Sequence, residues 1–346
     1  MKKITLYTFG VLIATALMTG CKNGDNDFPS YEKGASVYFA NQTPIRTLVM
    51  GEDTYDTSLD NAHKCQIQAT MGGSRDPLDI TLNIVVDESL CKNLFFDQAY
   101  TKPVLPMPTK YYTLSSNSMT FNGFRGAIDV QFTDDFFKDE KALEANYVIP
   151  VYIAGQSGAV RILAGETWPD VALPAQRTNE TLWKVAPADY TLYCVKYICK
   201  YDAKYLRYGV DVITDGGNSK TITREKKAEP KDQEVKSDIK TLGLHKILYP
   251  VSVDGGKYTC DLEVTFNDND EVTSVVSRTT GVTVNSFAGS YKEKSEKQAW
   301  GGKDRDGLYL DYKLTFASGA IVDTQDKLIV QTRGIVKEEF TPYYKN

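Results

Sequence analysis

Tyr258-Thr259-Cys260-Asp261-Leu262-Glu263-Val264-Thr265-Phe266 is the stretch whose reading decides the fold class. Every second residue is apolar and every residue between is polar. Successive side chains of a strand point to opposite faces, so this period of two marks a strand with one buried side. Asn267-Asp268-Asn269-Asp270 then offers a turn, and Val272 to Val276 runs back. The same pattern recurs downstream. Val282 to Phe287 is apolar-rich, and Leu308, Leu310, Tyr312, Leu314 and Phe316 alternate with polar residues. Leu328 to Thr332 follows, with Ile335 to Phe340 as a possible last strand. Long alternating strands joined by turns predict an antiparallel β-barrel or strongly curved, lipocalin-like sheet.

Upstream, Tyr190 to Lys200 reads as a long strand with Tyr193, Val195, Tyr197, Cys199 and Tyr201 on one face. Asp202-Ala203-Lys204 is expected to turn it into Leu206, Tyr208, Val210 and Val212, giving a hairpin. Asp215-Gly216-Gly217-Asn218 is a strong turn signal. Lys220 to Lys240 is dense in charge and lacks apolar periodicity, which predicts a solvated loop, with a protein-docking loop as the alternative.

The first half carries shorter strands: Ser36 to Phe39, Cys65 to Ala69, Ile80 to Val86, Tyr111 to Leu114, Ser118 to Phe121, Ile128 to Phe132 and Tyr147 to Ile153. Asp87 to Leu90 fits one helical turn. Pro150 within the last strand predicts an edge or a bulge, because proline lacks a ladder donor. Short strands at about ten-residue spacing predict an antiparallel, immunoglobulin-like β-sandwich. The expected layout is 31–156 for the sandwich, 157–187 for an ordered connector and 188–346 for the barrel-like domain. Trp168 and Trp183 are expected to pack within the connector rather than face a binding cleft.

The N-terminus reads as an export signal. Met1-Lys2-Lys3 is basic, Ile4 to Met18 is uncharged and too short to span a bilayer, and Thr19-Gly20 precede Cys21. This predicts a lipoprotein signal over 1–20 and an acylated Cys21. The polar run 21–30 predicts a disordered tether. Acyl chains on one residue anchor stably, at about 0.8 kcal/mol per buried methylene.

Composition narrows the function. The chain has 346 residues, with 40 basic and 45 acidic side chains. Removal of Lys2 and Lys3 with the signal leaves 38 − 45 = −7, which carries no footprint for nucleic acid. Only two histidines are present, so a multi-histidine metal site is excluded. Five cysteines remain beside Cys21, an odd number, and are expected to be mostly small buried hydrophobes. Tyrosine is abundant at 22 residues, which strand propensity largely explains. No nucleophile elbow, phosphate loop, dinucleotide fingerprint or βα alternation is found.

The order of elements in the first half resembles a known family. An acidic turn near Asp87, Leu105-Pro106 before Tyr111-Tyr112-Thr113-Leu114, a Gly123…Gly126 turn and Tyr147-Val148-Ile149-Pro150-Val151 follow a lipid cysteine. Together they are similar to the N-terminal β-sandwich of Bacteroidetes polysaccharide-utilisation lipoproteins, a domain also found ahead of some family 18 endoglycosidases. The segment Gly289-Ser290-Tyr291…Trp300-Gly301-Gly302-Lys303-Asp304-Arg305-Asp306-Gly307 resembles the C-terminal domain that accompanies it. The acidic strand end of family 18 enzymes is absent. The resemblance implies glycan metabolism at the cell surface and does not imply catalysis; the expected function is a non-enzymatic outer-membrane surface lipoprotein that binds glycan or helps a neighbouring outer-membrane importer capture it. It implies no cofactor, and membrane contact through the lipid alone. The alternatives are a glycoside hydrolase with an unfamiliar site and a protein-binding adhesin or assembly subunit.

Trp300, between glycines and polar residues, is the candidate sugar-stacking residue, with Tyr291, Asp304 and Asp306 beside it. Covering of the barrel end by Trp300 is the competing role. Asp304-Arg305-Asp306-Gly307 has the look of an acidic calcium loop but lacks its triad and distal glutamate, so a hairpin turn is expected there. Stacking and neutral hydrogen bonds would make binding insensitive to salt.

Overall fold

The computed structural model describes residues 34–345 except Val160 and 226–235. The export signal, Cys21, the tether and the centre of the charged stretch after Lys220 lie outside the described residues. Nearly every element is a strand.

The first unit contains β1 (Ser36–Tyr38), β2 (Pro44–Val49), β3 (Lys64–Gly72), β4 (Thr81–Val86), β5 (Leu94–Phe95), β6 (Leu105–Pro106) and β7 (Tyr112–Leu114). It continues with β8 (Ser118–Asn122), β9 (Arg125–Phe132), β10 (Tyr147–Ser157), β11 (Arg161–Ile162), β12 (Glu166–Thr167), β13 (Trp183–Val185) and β14 (Tyr190–Ile198). One layer runs β11-β1-β3-β9 and the other β4-β10-β14-β2; β8 pairs with both β4 and β9 and joins them. The layers enclose Val37, Ile67 and Val130 from one side and Leu82, Ile149 and Val195 from the other. This is a β-sandwich. Most pairs are antiparallel as expected, but β2–β14, β1–β11 and β6–β10 are parallel. Residues 158–189 carry the chain over the sandwich before β14, so β14 meets β2 in the same direction.

Two expectations are corrected here. Pro150 sits in a strand paired on both sides. Its carbonyl accepts from Asp87 N–H just beyond the last β4 pair, so its missing donor faces a ladder end and costs nothing. A bulge occurs instead between Ile153 and Gly155. Asp87 caps the short 3-10 turn Glu88–Cys91, as its sequence suggests.

The second unit is a meander: β15 (Ala203–Asp215), β16 (Asn218–Arg224), β17 (Lys236–Gly243), β18 (Lys246–Val253), β19 (Tyr258–Phe266), β20 (Val272–Ser277), β21 (Val282–Trp300), β22 (Lys303–Phe316) and β23 (Ile321–Thr332). The sheet order is β20-β19-β18-β17-β15-β23-β22-β21, with β16 flanking β15. Its two ends meet at the bridge Glu271↔Ser290 and the bond from Tyr291 N–H to Asp270 O (2.9 Å). The sheet therefore curls into an eight-stranded, lipocalin-like barrel. Tyr258, Cys260, Leu262, Val264 and Phe266 all face the core. Each such side chain contributes about 1.5–3 kcal/mol of burial.

The barrel interior also holds charge. Asp326 accepts from Arg207 Nε (2.8 Å) and Nη2 (3.1 Å), Arg224 Nη2 (2.7 Å), the Tyr249 hydroxyl (2.5 Å) and the Tyr312 hydroxyl (2.8 Å). Asp211 pairs with Arg224 and accepts from the Thr324 hydroxyl. Two guanidiniums thus face two carboxylates in a neutral cluster, as burial of charge requires. Desolvation alone would lower the Arg207 pKa; Tyr249, Asp326 and Tyr312 reverse this and raise it. Burial, then the charge of Arg207, lowers Arg224. Gly209 makes room: a Cβ there would sit 1.9 Å from Gln325 O and 3.2 Å from Arg224 Nη2, at φ +131.

The expected Tyr190–Val212 hairpin does not form. β14 pairs with β10 and β2 of the sandwich, whereas β15 pairs with β23 and β17 of the barrel. The predicted face is nevertheless continuous: Val195 and Tyr197 enter the sandwich core, and Cys199 and Tyr201 enter the barrel core. The C-terminal stretch is corrected likewise. β24 (Glu338–Glu339) pairs with β2, and β25 (Tyr343–Tyr344) with β5, so the chain ends on the sandwich rather than in the barrel. Parts of the charged stretch are strands too, at β16 and β17.

Arg333 fastens this double crossing. Its Nε donates to Asp202 O (3.2 Å), Nη1 to Met50 O (2.7 Å) and Nη2 to Cys199 O (2.6 Å). The connector is ordered on the sandwich: Arg177 pairs with Asp189 at 3.0 Å and Trp183 Nε1 donates to Gln176 O. Trp183 packs as expected, but Trp168 is 47% exposed. Among the described residues, no helix is long and apolar enough to cross a membrane.

Candidate functional site

The long hairpin β21–β22 shapes the site. From Val282 to Lys292 it pairs regularly apart from one slip. Beyond, four residues of β21 match two of β22 at each step: Lys292↔Gly307, Glu296↔Arg305, Trp300↔Lys303. Extra residues in one strand coil a ladder strongly. Lys294 (φ 48) and Gln298 (φ 47) take up the strain in the left-handed region. Their N–H groups are held by Asp306 Oδ1 (2.8 Å) and Asp304 Oδ1 (3.1 Å). Gly301 (φ 61) and Gly302 (φ 65) then form the two-residue turn, which needs positive φ twice.

The coiled end folds back on the barrel exterior. Ala299 is buried with Leu206, Tyr208 and Ile329, and Trp300 packs against that cluster. Trp300 is thus partly a covering residue, as one of its two expected roles required, and keeps a partly exposed face. The Asp304–Gly307 segment is not a turn; it lies along β22, and the turn falls at Gly301-Gly302.

Between this hairpin and the sandwich lies a cleft of about 660 Å³. All four candidates line it: Tyr291, Trp300, Asp304 and Asp306. The opposite wall is the sandwich loop Glu52 to Tyr55, and Lys200 and Arg333 line it as well. The size falls within the usual range for small-ligand sites. Tyr55 is 43% exposed, so the cleft has an aromatic ring on each wall.

The four candidates differ in availability. Tyr291 is buried, and its hydroxyl donates to Asp306 Oδ2 (2.6 Å). Burial, then the charges and hydrogen bonds around it, push its pKa well up. Asp304 pairs with Lys297 (3.0 Å). That bond, then the Gln298 N–H, holds its carboxyl below the usual range. Tyr291, Asp304 and Asp306 are therefore committed to holding the hairpin, and Trp300 is the one that offers a face. Tyr55 was not among the sequence candidates. It lies some 250 positions from Trp300, and no local pattern could link the two.

A second interdomain cleft, about 700 Å³, shares Arg333 and is lined by Lys196, Lys246, Glu263, Arg278 and Glu338. Its charges are matched: Lys196–Glu338 (2.5 Å), Lys246–Glu263 (2.7 Å) and Arg278–Glu263 (3.3 Å). It holds none of the candidates. Among the described residues, no three His, Cys, Asp or Glu side chains converge as metal ligands. The five described cysteines are free and buried.

Comparisons with known proteins agree with this division. A family model for a domain of unknown function, DUF5627, matches residues 200–334, and a model for an N-terminal domain matches 31–160. The first boundary falls where the chain leaves β14 for the barrel. No curated protein matches the chain. A solved Bacteroides ovatus protein of unknown function is 35% identical, covering 92% of this chain and 100% of its own, with a TM-score of 0.82. The chain therefore belongs to the family of that Bacteroides ovatus protein and shares its fold.

Proposed function

We propose that the chain is a non-catalytic surface lipoprotein, tethered through Cys21 to the outer membrane, that binds glycan in the cleft between Tyr55 and Trp300. It would hold the glycan for a neighbouring outer-membrane importer. The observation that carries the reading is that the exposed Tyr55 of one unit and the partly exposed Trp300 of the other line the same polar cleft. Aromatic faces match the apolar faces of pyranose rings, and the surrounding polar groups suit hydroxyls. The barrel lumen, filled by its apolar core and the Arg207–Asp326 cluster, is a poor alternative place for a ligand.

The state of the carboxylates supports binding rather than hydrolysis. A glycosidase needs one carboxyl with a raised pKa to act as acid. Asp304 is held low by Lys297, and Asp306 is engaged by Tyr291 and Lys294 N–H.

Affinity electrophoresis of the full chain through gels containing neutral and acidic polysaccharides tests the proposal. Retardation on at least one polymer, lost in Trp300→Ala and in Tyr55→Ala, is expected. Free migration on every polymer refutes glycan binding. Separately, Cys21→Ala is expected to move the protein from the membrane to the soluble fraction; retention on the membrane refutes the anchor.

A further inference from the structure

The cleft is unevenly balanced in charge once each lining group is traced to its partner. Glu52 pairs with Lys294 (2.5 Å), Asp304 with Lys297 (3.0 Å), and Lys200 with Asp270 (2.7 Å), while Asp306 takes the Tyr291 hydroxyl. Among the described residues, Lys303 and Arg305 have no carboxylate partner. Glu296, opposite Arg305 in the ladder, is already bound by Lys327 (2.7 Å) and the Tyr309 hydroxyl (2.6 Å). Arg333 spends its donors on backbone carbonyls, so its charge is also unmatched by a carboxylate. Asp53 and Asp306 are the lining carboxylates with no cation on them, Asp306 being held by a hydroxyl and a backbone N–H. Three unmatched cations against two unmatched anions leave the cleft with an excess of one positive charge, in a chain whose formal charge is −5.

The cations are also placed beside the ring. Arg305 Nε donates to Trp300 O (3.1 Å), which fixes the guanidinium next to the tryptophan. Gly301 lies alongside it, since a Cβ there would stand 3.7 Å from Arg305 Nη2, an ordinary contact. Lys303 pairs directly across the turn from Trp300. A guanidinium with free forked donors is suited to a carboxylate or a sulfate.

Resting on the glycan-binding reading above, we infer that the ligand is an anionic saccharide: Trp300 stacks on a sugar ring while Arg305 and Lys303 bind a carboxylate or sulfate on it. Such binding weakens with salt, because Lys303 is exposed and Arg305 partly so, and charges there are screened over about 8 Å at physiological ionic strength. This departs from the salt-insensitive binding expected from stacking alone.

The test is affinity electrophoresis of the full chain on polygalacturonate, chondroitin sulfate, chemically desulfated chondroitin, dextran and polyglutamate. Retardation is expected on polygalacturonate or chondroitin sulfate and not on dextran; loss on desulfation assigns the contact to sulfate, persistence to the uronate. Arg305→Gln combined with Lys303→Gln should weaken binding about tenfold, as loss of charge-assisted contacts does. Arg305→Lys should retain most of it, and unchanged far-ultraviolet circular dichroism excludes unfolding. Retardation by dextran that Trp300→Ala abolishes would overturn the anionic assignment while leaving glycan binding intact. Equal retardation by polyglutamate, or full binding by the Gln pair, would overturn it as well. Free migration on every saccharide would instead remove the underlying glycan reading.

Discussion

Replacing Asp326 by Asn should unfold the barrel more easily than any surface change. The carboxylate has no exposed surface and faces Arg207, itself 1% exposed, with Arg224 beside it at 7%. It accepts five hydrogen bonds, three from two guanidiniums and two from tyrosine hydroxyls. Asn presents one acceptor oxygen and turns its own N–H groups toward donors. Two buried guanidiniums would then face Asp211 alone. Breaking a buried pair from one side costs about 3–5 kcal/mol, because the remaining charge is left uncompensated. At about 2–4 °C per kcal/mol for domains of this size, the midpoint should fall by roughly 10 °C. Thermal unfolding followed by tyrosine circular dichroism measures the midpoint, and urea unfolding measures the free-energy loss, with an unchanged slope showing that the transition itself is the same. The reasoning also fixes the opposite limb. Replacing Asp326, Asp211, Arg207 and Arg224 together by Leu, Leu, Met and Met should cost far less than Asp326→Asn alone. A loss below about 1 kcal/mol for Asp326→Asn would refute the view that the cluster is a desolvated, mutually dependent network.

Other outcomes follow from single contacts. Gly209→Ala should cost about 3 kcal/mol or more in urea unfolding, since the new Cβ would collide with Gln325 O at a φ that favours glycine. Arg333→Ala should free the two units from each other; limited proteolysis near 199–202 and 333–337 should become fast, and resistance equal to the parent would contradict the fastening role. Burial pushes the thiols of Cys65, Cys91, Cys194 and Cys260 up to about 12 and that of Cys199 to about 11. Because these folded pKa values are raised, their contribution is complete below the unfolded value of 9.0 and is lost as pH rises from there toward 12. Stability should therefore decline across that alkaline window. At pH 8, Ellman's reagent should label none of the five until the chain is unfolded.

What could be read locally was read well. β19 alternates because each second residue faces one continuous barrel core, and the Gly216-Gly217 turn needs backbone conformations that only glycine adopts easily. The five-position spacing of Cys194 and Cys199 puts the thiols on opposite faces, and they lie in different clusters. Alternation is blind, however, to which sheet a strand joins. Val195, Tyr197, Cys199 and Tyr201 keep one face across the junction, yet the first two belong to the sandwich and the last two to the barrel. Pro150 misled for the same reason, since its cost depends on whether a neighbour strand still needs a donor at that point.

The sequence by itself determined the all-β class, the alternating strands and the turns at Gly216-Gly217 and Asn267–Asp270. Period and turn chemistry act over a few residues, so they are written locally. The tertiary structure alone decided that β14, β24 and β25 belong to the sandwich, that Asp304 and Asp306 clasp a coiled hairpin, and that Tyr55 faces Trp300 across a cleft. Those outcomes rest on pairings between residues up to hundreds of positions apart, which only the closed fold brings within hydrogen-bonding distance.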